Sequence, residues 1–230
     1  MARTFSDFES RLGYSFKDKA LLRNALTHTS YANEHYRKKA HLKSNERIEF
    51  VGDAVLGLIV GGYIYRKYPD MPEGRMSKLR ASVVCEAALA DIAVRLYIDE
   101  FLRLGIGEEQ SGGRKKASLL ADALESVIGA VYIEGGFETA QRVMLVHLAP
   151  EVDSRAENTN LSDYKSRLQE LLSKKHMVAS YEIITVSGPD HDRVFTARVY
   201  LADGLSACGA GRSKKEAEQE AAKELLQMIV

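Results

Sequence analysis

Two cysteines are all that this chain of 230 residues contains, and Cys85 and Cys208 lie far apart with no C-x-x-C partner. That scarcity excludes a disulfide framework and leaves no zinc-ligand spacing. Both thiols read as small buried hydrophobes. An excess of one charge is missing too: Lys and Arg number 32, as do Asp and Glu. Such a balance argues against a protein that coats nucleic acid indiscriminately. It holds along the chain as well, with ten residues of each sign from Asn160 onward, so a nucleic-acid site must come from local arrangement. Long apolar runs are also lacking. The longest uncharged stretch, Ala54 to Tyr65, falls short of the roughly 18 to 20 residues that a bilayer span needs, and no membrane partner is expected. Residues Met1 to Asp7 have neither the apolar core nor the small-residue cleavage site of a signal peptide, which makes the cytoplasm the expected location.

What the chain does contain is a change of period. From Phe5 to about Leu148 apolar residues recur at threes and fours, as in Leu21, Leu22, Ala25 and Leu26, then Val55, Leu58 and Ile59, then Leu119, Leu120, Leu124, Val127 and Ile128. That spacing predicts helices, and residues 1–150 are expected to form an all-α domain. Gly and Pro chemistry marks breaks at Tyr68 to Gly74, Gly105 to Gly113, and Gly135-Gly136. Gly57 and Gly61, one helical turn apart, are expected to let two helices pack closely. Residues 151–160 are polar without an apolar period and read as a hydrophilic tether. In 161–230 an amphipathic helix over Ser162 to Lys175 precedes a strand over Ser180 to Val186. Next, Phe195, Ala197, Val199 and Leu201 alternate along a second strand, Asp203-Gly204 signals a hairpin, and a third strand runs through Ala210. Ser213-Lys214-Lys215-Glu216 has capping-box spacing and opens a last Ala-rich helix. This second domain is α+β, in the order α-β-β-β-α.

Chemistry concentrates in Asn45-Glu46-Arg47-Ile48-Glu49-Phe50-Val51-Gly52-Asp53-Ala54-Val55-Leu56. On a helix Glu46, Glu49 and Asp53 share one face, with Glu49 and Asp53 separated by ~6 Å along the axis at a rise of ~1.5 Å per residue. Asp122 and Glu125 repeat the i, i+3 spacing in another apolar segment. Ionised acids left unpaired in such surroundings cost several kcal/mol, so they must be protonated, salt-bridged or gathered around a metal. Arg47, Arg80, Lys115 and Lys116 are available for structural ion pairs. Four acids together favour the metal, and hard oxygen donors without nearby His or Cys pairs suit Mg²⁺, or Mn²⁺ in its place, rather than zinc. Phosphodiester hydrolysis is the chemistry this would serve.

The Asn45 to Leu56 block, with Ala25-Leu26-Thr27-His28-Thr29-Ser30 upstream and Ala121 to Glu125 downstream, closely resembles the ribonuclease III family over nearly the whole chain. The resemblance implies an endonuclease that uses Mg²⁺ to cut double-stranded RNA, leaves 5′-phosphate and 3′-hydroxyl ends, processes RNA precursors and needs no organic cofactor. Glu49, Asp53, Asp122 and Glu125 match the metal ligands, and Glu125 is expected to tolerate change least. Glu46 matches a further acid near the RNA groove and Glu73 one that assists the site; Asn45 and Lys115 are candidates for phosphate or orienting contacts, with plain solvated polar residues as the alternative. A homodimer is implied, each site cutting one strand, with Phe50 as an aromatic plug into the partner subunit. The second domain resembles a double-stranded RNA-binding domain, which reads duplex shape. In it Gln169, with Glu170 nearby, matches a minor-groove reader and His191 a loop residue that enters the groove. Lys214 and Lys215, helped by Arg212, sit in a first helical turn where the dipole disfavours cations, so an incoming anion is expected there. A non-catalytic RNA-binding protein of the same fold is the alternative, and a DNA nuclease is a weaker one.

Overall fold

The structure, a computed structural model, describes residues 4–35, 43–161, 164–189 and 193–229. It divides into two compact units, Met1–Arg155 and Ala156–Val230. In the first, α1 (Phe5–Leu12), α2 (Lys19–Ala25) and α3 (Thr29–His35) precede the long α4 (Glu46–Lys67). Then follow α5 (Glu73–Val83), α6 (Glu86–Arg95), the short α7 (Ile98–Phe101) and α8 (Ile106–Gln110), a 3-10 turn at Gly113–Lys115, and α9 (Ala117–Leu161). Local chemistry starts these helices. Thr4 and Asp7 form a reciprocal capping box on α1, and the Asp18 carboxylate accepts from the Ala20 and Leu21 N–H groups at the head of α2. Within α9, Gly136 breaks the helical geometry at φ 76° and ψ 175°, where the Gly135-Gly136 pair marked a break.

Apolar side chains from both long helices make the core of this unit: Leu56, Ile59, Val60 and Ile64 of α4, with Leu120, Leu124, Val127, Ile128 and Val131 of α9, are all buried. Among the described helices α4 alone has the length and composition to cross a membrane, and only part of its apolar content is buried within the unit. The tightest approach is between α4 and α9. A Cβ added to Gly52 would fall inside the carbonyl group of Glu125, and one added to Gly129 would fall on the Ile48 carbonyl oxygen. The close packing expected at Gly57 and Gly61 lies here instead. Within the chain a Gly57 Cβ would meet nothing within 4 Å, and a Gly61 Cβ only the Arg80 side chain at 3.8 Å.

Two other expectations are corrected. Residues 151–160, read as a tether, are helical and continue α9. Their polar side chains looked solvated but have partners: Glu151 pairs with Arg95 at 2.9 Å. Asp153 accepts from the Tyr68 hydroxyl and the Lys67 ammonium, both at 2.8 Å, and from the Tyr63 hydroxyl at 3.1 Å. Cys85 and Cys208 are exposed rather than buried. Cys85 is the residue before α6, and Cys208 points away from the core because it follows buried Ala207 on a strand of period two.

In the second unit α10 (Tyr164–Lys174) precedes β1 (Ser180–Ser187), β2 (Val194–Tyr200) and β3 (Ser206–Gly211), and α11 (Lys214–Ile229) closes it. The sheet is antiparallel in the order β1-β2-β3, with Ser180 opposite Tyr200 and Phe195 opposite Gly211. Gly204, at φ 92°, makes the turn after Asp203. Leu168 and Leu172 of α10, Ala197 and Val199 of β2, and Ala217, Ala221 and Leu225 of α11 form its core. The helical and alternating patterns thus resolve into an all-α domain followed by an α-β-β-β-α domain.

The helix crossing gives a direct test. Gly52→Ala is expected to force α4 and α9 apart at a cost of about 1–3 kcal/mol, lowering the melting temperature by about 2–4 °C per kcal/mol. Gly107→Ala, whose Cβ would meet nothing within 4 Å, should leave it nearly unchanged. Equal melting of the two variants by circular dichroism would contradict the crossing.

Candidate functional site

The site is built where α9 crosses the start of α4. Asn45, which precedes α4, is buried, and its backbone is fully engaged. Its N–H donates to the Thr27 carbonyl at 2.9 Å, and its carbonyl accepts from the Ile48 and Glu49 N–H groups at 2.8 and 2.9 Å. The same carbonyl accepts from the buried Ser126 hydroxyl at 3.1 Å. A buried hydroxyl needs such a partner, so the residue next to Glu125 is latched to the head of α4. One turn further on, Gly52 and Gly129 let the backbones meet.

This crossing brings acids from both helices together. Glu49, Asp122 and Glu125 each offer a carboxylate oxygen, and these oxygens lie within 4.8 Å of one another. Asp53, on the same helix as Glu49 and exposed, stands outside that trio but close enough to push up the carboxyl groups of Glu49 and Glu125. Among the described residues none of these four acids is in an ion pair, and Lys116, one of the bases available for pairing, is bound to Glu108 at 2.6 Å. The carboxyl groups therefore carry the cost themselves. Burial, then the charges of Asp53, Glu49 and Asp122, pushes Glu125 up to about 7. Burial followed by Asp122, Glu46 and Asp53 raises Glu49. In Asp122, burial and then Glu86 raise the carboxyl, while His28 opposes them.

Such an all-oxygen donor set, half-buried and without a basic partner, fits a hard divalent ion. The remaining expected residues fall differently. Glu46 is exposed on α4 and accepts from the Ser44 hydroxyl at 2.7 Å. Glu73 is not brought to the trio within the chain. It accepts from the Ser77 hydroxyl at 2.7 Å and lines a separate cavity of about 200 Å³ with Gly61, Ile64, Tyr65, Met76 and Arg80. Gly61 lies ~18 Å along α4 from Glu49 at ~1.5 Å per residue. Lys115 is exposed in the 3-10 turn. Phe50 is 80% exposed and, with Val51, Ala54, Leu58 and Tyr132, borders an apolar surface. Glu86 and His28, both within electrostatic reach of Asp122, had no role in the sequence reading. Only the Thr27-His28 segment, inside a quoted motif, carried any signal of its place.

In the second unit Gln169 and Glu170 are exposed on α10, on turns facing away from buried Leu168 and Leu172. Arg212, Lys214 and Lys215 are exposed around the start of α11, and none is in an ion pair among the described residues. The Glu216 N–H donates to the Ser213 hydroxyl, while the Glu216 carboxylate accepts from the Arg212 N–H at 2.7 Å. Acid at this turn is thus held by backbone, which leaves the lysines free for an anion. His191 lies outside the described residues.

Comparison with known proteins agrees with this division. Residues 18–152 match the family described as Ribonuclease-III-like, and residues 164–229 match the double-stranded RNA binding motif. Ribonuclease 3 of Oceanobacillus iheyensis is 47% identical over 222 residues, covering 96% of each chain. Ribonuclease 3 of Symbiobacterium thermophilum is 48% identical over 216 residues, covering 94% of this chain and 90% of that one. Among solved structures, the nuclease domain of ribonuclease III from Campylobacter jejuni aligns with a TM-score of 0.59 at 44% identity, over 64% of this chain and 98% of that one.

The crowded acids make metal-free stability depend on pH. A carboxyl group whose folded pKa is raised holds its proton better in the folded state, so its contribution is present at low pH and lost as pH rises from the ordinary carboxylate range through about 7. In EDTA the melting temperature should fall from pH 5 to pH 8, and fall less in Glu125→Gln, which at pH 8 should melt above the wild type. Parallel curves for the two proteins would show that Glu125 is not crowded as described.

Proposed function

The chain belongs to the ribonuclease III family, and from that premise we propose that it is an endonuclease that uses Mg²⁺ to hydrolyse double-stranded RNA. Its products are 5′-phosphate and 3′-hydroxyl ends, released in the cytoplasm during maturation of RNA precursors. The observation that carries this reading is the convergence of Glu49, Asp122 and Glu125 within 4.8 Å, with no ion-pair partner among the described residues. These three would hold the ion, with Asp53 added to the donor set; Mn²⁺ has the same preferences and could replace Mg²⁺. A divalent ion in this position supplies Lewis acidity that makes water a better nucleophile and offsets charge building on the phosphate. With the carboxylates engaged as metal ligands, water is the nucleophile and no covalent enzyme intermediate is needed. Glu46, on the same face of α4, borders the strand being cut. The second unit grips the duplex with Gln169 on α10 and with Arg212, Lys214 and Lys215 at α11, reading shape and backbone; His191 belongs to the same grip.

A homodimer is part of this reading. Phe50, Ala54, Gly57, Leu58, Gly61 and Tyr65 share one face of α4, and Phe50, Leu58 and Tyr65 are 80%, 60% and 71% exposed. So large an apolar stripe marks an interface. Two copies of α4 packed antiparallel about a two-fold axis near Gly57 set each Phe50 against the partner's cavity at Gly61, Ile64 and Tyr65. Glu73 borders that cavity, so the pairing moves it toward the neighbouring acid site, where it assists in trans. Two sites related by this axis suit the two antiparallel strands of a duplex.

Two outcomes are expected. Glu125→Gln should bind a plain RNA duplex but lose cleavage in Mg²⁺ by at least ~100-fold; cleavage at the wild-type rate would refute the assignment and leave a binding protein. Phe50→Ala should stay folded, because the ring is exposed, and sediment as a monomer at micromolar concentration. A persistent dimer would overturn the pairing described here.

A further inference from the structure

His28 stands just ahead of α3 in a segment fixed on both sides. Its N–H donates to the Arg103 carbonyl at 3.1 Å, and Thr27 forms an isolated parallel bridge with Arg103. The Thr27 carbonyl accepts from the Asn45 N–H at 2.9 Å, and the Asn45 carbonyl in turn accepts from Ser126. Hydrogen bonds thus connect the residue next to His28 to the residue next to Glu125. Its side chain is fixed as well. Nδ1 accepts from the Ser30 N–H at 3.2 Å and lies 2.8 Å from the Ser30 hydroxyl, which accepts from the Gly105 N–H at 2.9 Å. Having accepted there, the hydroxyl turns its own hydrogen to Nδ1. With two donors aimed at Nδ1, the ring hydrogen is assigned to Nε2.

Among the described residues Nε2 has no hydrogen-bond partner, although the ring is half-buried. His28 is also near enough to Asp122 and Glu108 to act on both carboxyl groups. Nε2 is not one of the buried polar atoms, so its N–H is open to solvent and to a ligand. The ring is thus held with a free N–H within electrostatic reach of Asp122, a donor suited to an anionic oxygen.

We propose that His28 is a further substrate-contacting residue, whose Nε2–H donates to a phosphate oxygen of the RNA strand lying at Glu49, Asp122 and Glu125. Ser30 is its positioning residue, since the Ser30 hydroxyl and N–H select the ring hydrogen that faces the strand. This role rests on the RNA-cleavage reading above.

Single-turnover cleavage of an RNA duplex in Mg²⁺, with enzyme saturating, separates the two readings. His28→Ala should slow cleavage by about 10- to 100-fold, the worth of one hydrogen bond to a charged group, with melting temperature and duplex affinity little changed. His28→Gln, which can present an amide N–H from a similar position, should recover most of the rate. Ser30→Ala should slow the same step, and His28→Ala with Ser30→Ala should be no slower than His28→Ala alone. A wild-type rate in His28→Ala, or losses that multiply in the double variant, would overturn the proposal while leaving the endonuclease reading intact. Should His28→Ala not fold, a wild-type rate in Ser30→Ala would overturn it by itself. A wild-type protein that cuts no duplex would remove both readings.

Discussion

One close approach supports everything else: the backbone of α4 at Gly52 lies directly on the backbone of α9 at Glu125 and Gly129. Any side chain at either glycine would hold the helices apart, and side chains as short as Asp122 would no longer reach Glu49. Ser126 reinforces the crossing by donating to the Asn45 carbonyl, so a buried polar group is satisfied in the act of fixing the geometry. Packing and chemistry meet here in consecutive residues, with Glu125 aimed into the site and Ser126 tying its helix to α4.

The crossing also creates an unfavourable charge distribution. Burial and mutual repulsion push up Glu49, Asp122 and Glu125; His28 offsets part of the rise at Asp122, and none of the three is in an ion pair among the described residues. Elsewhere the protein pairs its acids readily, as Glu9 with Lys19, Glu109 with Arg114 and Asp153 with Lys67. A fold selected only for stability would not leave its most crowded acids as the unpaired ones. The local strain is what a divalent cation would relieve, which links the stability of the domain to its chemistry.

α4 faces two ways. Val55, Leu56 and Ile59 are buried within the unit, while Phe50, Leu58 and Tyr65 are left outside. The sequence shows apolar residues around nearly the whole helix, and periodicity reports only their angular placement. It does not distinguish a face covered within the unit from one left outside it, which is why Leu58 groups with Val55 and Ile59 in the sequence pattern. The same blindness explains residues 151–160. Their polar character was legible, but Glu151 and Asp153 are held by Arg95, Tyr63, Lys67 and Tyr68, all far away in sequence.

By itself the sequence determined what depends on neighbours a few residues apart. The i, i+3 and i+7 acids share helix faces, the change from helical to alternating period separates the two domains, and Asp203-Gly204 and Ser213 to Glu216 mark a turn and a helix start. Only the tertiary structure decided which glycines make the crossing, that Glu73 lies at a separate cavity, that Asp53 sits outside the trio, and that His28 and Glu86 come within electrostatic reach of Asp122. The physical reason is range: a helical period fixes how a side chain points about its own axis, whereas these outcomes depend on which distant segment comes to lie opposite it.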